Sequence, residues 1–254
     1  MHEHATSPDL TVLVVVPAYQ EQASVGRVVT GLHEAIPTAD VLVVDDGSRD
    51  RTGAVASAAG AAVLTLPFNL GVGGAMRAGF KYALRHGYDA VVQFDADGQH
   101  DENDVARLVA ALAEADIVIG ARFAGAGDYA TSLPRRWAMR ILAQTLSRVV
   151  GSPLTDATSG FRACNEQAML LFARHYPVEY LGDTVESLLI AGRCGLRVTQ
   201  VPVVMHERTT GKASSGAVAS VLYLARAFLA LGLGLLRRWP IENEPKALPL
   251  AWDR

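Results

Sequence analysis

Five short runs of aliphatic, mostly β-branched residues recur along the first 120 residues, and the stretches between them carry helical spacing. The runs are residues 10–16, 41–44, 62–66, 90–94 and 117–119. Runs that are nearly apolar throughout suit strands buried on both faces, and a helix between successive strands is what a parallel crossover requires. The spacing predicts helices over 24–36, 51–59, 74–86 and 101–115. The last opens on Asp101, Glu102 and Asp104, acids that favour a helix N-terminus. The expected class is therefore α/β, a Rossmann-like, mostly parallel sheet flanked by helices. Ligands of such sheets lie beyond the carboxyl ends of the strands, and the loops leaving those ends hold the chemically unusual residues here.

Composition removes several alternatives. Of 254 residues, 50% are hydrophobic and 19% charged, enough apolar material for a sizeable core and the wrong balance for a disordered or fibrous chain. A net charge of −3 argues against a dedicated nucleic-acid binder. Two cysteines, Cys164 and Cys194, make neither a disulfide framework nor a zinc site, and a reducing cytoplasm is the expected compartment. Residues 1–10 lack the basic and apolar stretches of a signal peptide.

The acidic segment Phe94-Asp95-Ala96-Asp97-Gly98-Gln99-His100 follows the fourth run directly. Alternate residues of an extended loop point the same way, so Asp95, Asp97 and Gln99 can converge on one cation. Their oxygen donors suit Mg²⁺ or Mn²⁺ bridged to substrate phosphates; the alternative is an acidic surface turn cornered at Asp97-Gly98. His100 either orients this loop or is solvated. At the second strand end, Asp45-Asp46-Gly47-Ser48 offers a carboxylate to a base or ribose, or else Asp46, Ser48 or Asp50 caps the next helix. At the first, Pro17-Ala18-Tyr19-Gln20-Glu21 can sandwich a base between a ring and a carboxylate, unless Tyr19 is core. The glycine run Asn69-Leu70-Gly71-Val72-Gly73-Gly74-Ala75 lacks the GK[ST] of a Walker loop and the third glycine of a dinucleotide fingerprint, which sets aside kinase and dehydrogenase readings. Residues 119–150 set Arg122, Arg135, Arg136, Arg140 and Arg148 against one acid, Asp128. Guanidinium groups fit phosphate oxygens, as would Arg208 and Lys212 farther on.

Taken with Thr158-Ser159-Gly160-Phe161-Arg162, these segments, in this order over residues 10–215, resemble the family 2 glycosyltransferases of GT-A fold. Within that family they are most similar to the dolichol-phosphate mannose synthase-like, polyprenyl-phosphate sugar transferases. The resemblance implies a metal-dependent, inverting transfer of a hexose, mannose favoured, from a nucleotide diphosphate sugar to a polyprenyl phosphate. GDP-mannose is the favoured donor and UDP-glucose the other; a soluble saccharide acceptor is the alternative. It implies Mg²⁺ or Mn²⁺ at Asp95, Asp97 and Gln99, and a nucleotide pocket lined by Pro17, Ala18, Tyr19, Glu21, Asp46, Gly71 and Ala96. Arg122, Arg136, Arg208 and Lys212 would face phosphates, while Asp156 and Asp183 would hold sugar hydroxyls. Asp97, Asp156 and Arg122 are thus the expected catalytic residues. The family's basic loop often reads R-x-x-G-x-S-K, whereas here Lys212 directly follows Gly211 and Ser215 takes the usual lysine place.

The catalytic domain is expected over 1–215, an apolar helix over 216–238 and a loose, proline-bearing tail over 239–254. Residues 218–236 reach the minimum length of a membrane span, but Arg226 near the middle would cost roughly 2.5–3.5 kcal/mol there. A helix lying in the membrane interface is expected instead, which would make the protein peripheral on the cytoplasmic face; the alternative is a helix packed on the catalytic domain or against a small membrane-protein partner.

Overall fold

A computed structural model describes residues 10–122, 133–178 and 183–206, together with positions 229 and 232, although the side chains of Arg122 and of residues 133–139 are outside the description. The expected segments 216–238 and 239–254 lie outside the described residues but for those two positions. In chain order the elements are β1 (Val12–Ala18), α1 (Val25–Ala35), β2 (Asp40–Asp45), α2 (Thr52–Ala58), β3 (Ala62–Thr65), α3 (Gly71–His86) and β4 (Ala90–Gln93). They continue with α4 (Asp104–Ala111), β5 (Ile117–Arg122), α5 (Leu133–Val150), β6 (Arg162–Asn165), α6 (Glu166–His175), α7 (Asp183–Arg193) and β7 (Val198–Val203).

One seven-stranded sheet runs in the order β3-β2-β1-β4-β6-β5-β7. It is parallel except at β6, which is antiparallel to both β4 and β5. This is the α/β, mostly parallel architecture that the sequence predicts, with β6 and β7 added beyond the five apolar runs. Both faces are covered, for a reason written in the strands. Successive side chains point to opposite faces, so Leu13 and Val15 of β1 join Leu42, Val44, Val91 and Ile117 in one core cluster. Val12, Val14 and Val16 join Val41, Val43, Val92 and Val118 in the other. At roughly 1.5–3 kcal/mol per fully buried aliphatic side chain, the alternation commits the strands to a two-sided, dry position.

The helices end where local chemistry says they should. Asn165 closes β6 and caps α6 by accepting the N–H of Ala168 at 3.1 Å, with Glu166 in the first turn. Gly87 ends α3 in the left-handed conformation at φ 74°, after Arg85 and His86 in the last turn. Two helix starts differ from expectation by three residues, and α4 also ends at Ala111 rather than 115. Helix α3 starts at Gly71 rather than 74, and α4 at Asp104 rather than 101. In the first case a carboxylate from β2 caps the glycine run and draws it into the helix. In the second, Asp101 folds back on Asn103, accepting both its backbone N–H and its side-chain N–H at 2.9 Å, which makes a turn ahead of the helix.

Candidate functional site

The strand order turns back between β1 and β4, with β1 leading to β2 on one side of the pair and β4 leading to β5 on the other, so their carboxyl ends open a crevice. Three sequence-predicted loops meet there. The exits of β1 and β2 are stitched together: the Asp46 N–H donates to the Ala18 carbonyl at 2.9 Å, Gln20 N–H to Ser48 Oγ at 2.9 Å and Glu21 N–H to Thr52 Oγ1 at 2.9 Å. Gln20 turns the chain with φ 57°, a conformation uncommon for a non-glycine residue. That turn leaves the Tyr19 ring 42% exposed at the crevice, so it is not a core side chain. Ser24 Oγ donates to a Glu21 carboxylate oxygen at 2.8 Å, which orients that acid at the start of α1.

Asp46 is buried and accepts the N–H groups of Leu70 and Gly71 at 2.7 and 2.8 Å, one on each carboxylate oxygen. It caps α3 rather than the next helix, while Asp50 takes the α2 entry by accepting the Thr52 N–H at 3.0 Å. Burial pushes the Asp46 carboxyl above the usual range, against the two backbone hydrogen bonds. The glycine run beneath it permits close packing: a Cβ on Gly73 would stand 2.0 Å from the Pro177 carbonyl oxygen.

The β4 exit alternates as its sequence predicts. Phe94, Ala96 and His100 are buried, whereas Asp95, Asp97 and Gln99 are partly exposed. Gly98 makes the corner at φ 73°, and Asp97 accepts the Gln99 N–H at 3.1 Å. The buried imidazole of His100 lies 3.2 Å from Asp95 Oδ2 through Nε2, so His100 orients the loop and is not solvated. Across from it, the bare α-carbon of Gly160 lets the 158–162 segment lie close; a Cβ there would be 3.4 Å from both Asp95 carboxylate oxygens.

That segment is rigidly built. Arg162 is buried and donates to the carbonyls of Ser159, Ala157 and Thr184 and to Ser187 Oγ at 2.8–3.1 Å. Asp156 is buried and takes the N–H and hydroxyl of Thr158 at 3.2 and 3.1 Å, holding the turn that presents Gly160. Asp183, at the start of α7, has its carboxyl pushed up by burial; Arg162 opposes this and Asp95 adds to it. Asp183 therefore lies within electrostatic reach of Asp95, 88 residues away in the sequence.

Arg122 ends β5, paired in register with Val203 of β7, and Arg136 lies in α5; their side chains are outside the described residues, as are Arg208 and Lys212 altogether. The segment leading to the last two reaches the acidic loop nonetheless. His206 N–H donates to the Gln99 carbonyl at 2.7 Å, Val204 N–H donates to Asp104 Oδ2 at 2.9 Å, and His206 Nε2 is 3.6 Å from Asp101 Oδ2. Asp101 and Asp104 thus tie β7 to the loop. Sequence reasoning read both only as helix-terminal acids, and the second acid pair after the DAD segment was the available signal.

A divalent cation fits this donor set. Asp95 and Asp97 present partly exposed carboxylates with Gln99 beside them, and Gly160 leaves space over Asp95. Among the described residues no group of three or more His, Cys, Asp or Glu is placed to hold a metal. The set suits an ion of the Mg²⁺ or Mn²⁺ kind that keeps positions open for phosphate oxygens, and not a closed zinc cage. No helix among the described residues is long and apolar enough to cross a membrane.

The sequence profile of "Glycosyl transferase family 2" matches residues 13–170, from β1 into α6. The undecaprenyl-phosphate mannosyltransferase of Micrococcus luteus is 33% identical over 239 residues, covering 91% of this chain and 96% of the relative. The polyprenol monophosphomannose synthase of Mycolicibacterium smegmatis is 34% identical over 214 residues, 80% of each chain. Among solved structures, glucosyl-3-phosphoglycerate synthase from Mycobacterium tuberculosis, crystallised with Mn²⁺, UDP and glucosyl-3-phosphoglycerate, superposes with a TM-score of 0.67 at 24% identity. That superposition covers 88% of this chain and 81% of that one, a likeness of fold.

Proposed function

The chain belongs to glycosyl transferase family 2 and is a glycosyltransferase, and we propose that it moves mannose from GDP-mannose onto the phosphate of a polyprenyl lipid at the cytoplasmic face of a membrane. The observation that carries this reading is the similarity to two polyprenyl-phosphate mannosyl enzymes over 96% and 80% of their lengths. The site agrees with it chemically. A lipid phosphate is already an anion at neutral pH, so the acceptor needs positioning and no strong general base. An acceptor phosphate oxygen bonds to the anomeric carbon as the bond from that carbon to the nucleoside diphosphate breaks, the electron pair leaving with the diphosphate, and the centre inverts.

In this reading Asp95, Asp97 and Gln99 would hold Mg²⁺ or Mn²⁺, which when bound neutralises charge on the leaving diphosphate. Pro17, Ala18, Tyr19 and Glu21 form the wall of the nucleotide pocket, with Asp46 and Gly71 as its floor and Ala96 beside the diphosphate. Asp183 serves the sugar hydroxyls directly, and Asp156 holds the turn behind them. Arg122, Arg136, Arg208 and Lys212 supply cations for the diphosphate and the acceptor phosphate. The apolar segment 216–238 lies along the membrane surface or against a small membrane protein.

The test incubates purified protein with Mg²⁺ or Mn²⁺, polyprenyl phosphate and radiolabelled GDP-mannose or UDP-glucose. Label from GDP-mannose passes into the organic phase, and EDTA stops it. Transfer from UDP-glucose alone would replace the donor, and label that stays aqueous with both donors would overturn the lipid acceptor.

A further inference from the structure

His100 is buried to 4% exposure in a loop whose neighbours on either side, Gln99 and Asp101, are partly exposed. Its ring lies against Phe161 with centroids 4.8 Å apart and meets Phe94 edge-on at 5.5 Å. Its backbone pairs with Met205 as an isolated antiparallel bridge. Strand β4, the entry to β6 and the exit of β7 therefore all fix this side chain. Burying an imidazole costs free energy unless its nitrogens are used, yet only Nε2 has a partner, Asp95 Oδ2 at 3.2 Å, while Nδ1 is buried without one. A neutral ring carrying its hydrogen on Nε2 is the form that strands no N–H. Such a ring is a fixed donor aimed at one carboxylate oxygen of Asp95.

If His100 served only to fill space between two phenylalanines, an aromatic hydrocarbon would do so without the cost of burying Nδ1. We infer that His100 is a positioning residue: it sets the orientation of the Asp95 carboxylate toward a divalent cation and couples that carboxylate to the segment leaving β7. The inference rests on the cation reading of Asp95 and Asp97 given above. Donors behind a metal-binding side chain typically change metal affinity by 10- to 100-fold when removed.

The experiment titrates Mn²⁺ into the full chain with GDP, and separately with UDP, following free Mn²⁺ by electron paramagnetic resonance. His100→Phe keeps the ring packing and removes the donor, whereas His100→Gln restores an N–H at similar reach. His100→Phe should bind Mn²⁺ about 10- to 100-fold more weakly than the parent, and His100→Gln should recover most of the loss. Parent-like affinity in His100→Phe, or a folded His100→Gln as weak as His100→Phe, would overturn the positioning role and leave the cation reading standing. A parent that binds no Mn²⁺ with either nucleotide would overturn both. A second measurement needs no variant: in ¹⁵N-histidine-labelled parent, the His100 Nε2 resonance should move when Mg²⁺ and GDP are added together and not with GDP alone. An unmoved resonance in protein that binds Mg²⁺ counts against the inference equally.

Discussion

Asp97 stands half-buried at the crevice with Oδ1 accepting the Gln99 N–H at 3.1 Å. An asparagine in its place keeps an oxygen for that hydrogen bond and removes the charge. Asp97→Asn should therefore melt within about 2 °C of the parent while turnover falls by about 10²-fold or more, the order seen when a group stabilising developing charge is removed. Measuring both on one preparation separates chemistry from folding, and near-parental turnover would remove Asp97 from the cation site. The place of Asp97 on the open face of the loop was legible because its sequence neighbours alternate with it. That of His100 was not, because whether a histidine in a loop is solvated or buried depends on Phe161, which arrives from 61 residues away.

Among the elements, α3 shows how a neighbour changes a local rule. Its glycine run reads as a loop, since glycine costs roughly 1 kcal/mol against alanine inside a helix. The Asp46 carboxylate supplies acceptors for two of the first N–H groups and makes a helix start of it. Gly73 then lies under the carbonyl of Pro177, in the segment that follows α6, with no room for a Cβ. Gly73→Ala should gain its helix propensity and lose more to overpacking, which costs typically 1–3 kcal/mol. Thermal unfolding should register a midpoint lower by about 2–6 °C. An unchanged or higher midpoint would mean that the segment after α6 yields at no cost.

For the molecule as a whole, Asp116 acts as a clasp where the second half of the chain returns to the sheet. Just ahead of β5, it accepts the Arg197 N–H at 2.7 Å, the Arg197 guanidinium at 3.2 Å and the Asn165 side chain at 2.9 Å, joining β5, β6 and β7. Burial would raise its carboxyl, but the hydrogen bonds from Arg197 and Asn165 outweigh it and hold the group below the usual range. A carboxylate depressed in the folded state stabilises above its unfolded pKa, about 3.9, and that contribution fades as pH falls through the folded value. Asp116→Asn should cost about 1–3 kcal/mol between pH 5 and 8, with the gap to the parent closing below about pH 4 in denaturant titrations. A gap independent of pH would assign the effect to packing alone.

The sequence by itself determined the layered α/β plan, the five parallel strands of the first half, the positions of the loops and the acidic segment after β4. These are matters of period, of β-branched runs and of turn residues, all of which act between neighbours along the chain. Only the tertiary structure decided that β6 runs antiparallel, that Asp46 caps α3, that His100 is buried against Asp95, and that Asp183 lies within electrostatic reach of Asp95. Each of those depends on which distant segment fills the space beside a group, and burial and electrostatic coupling are properties of that filled space.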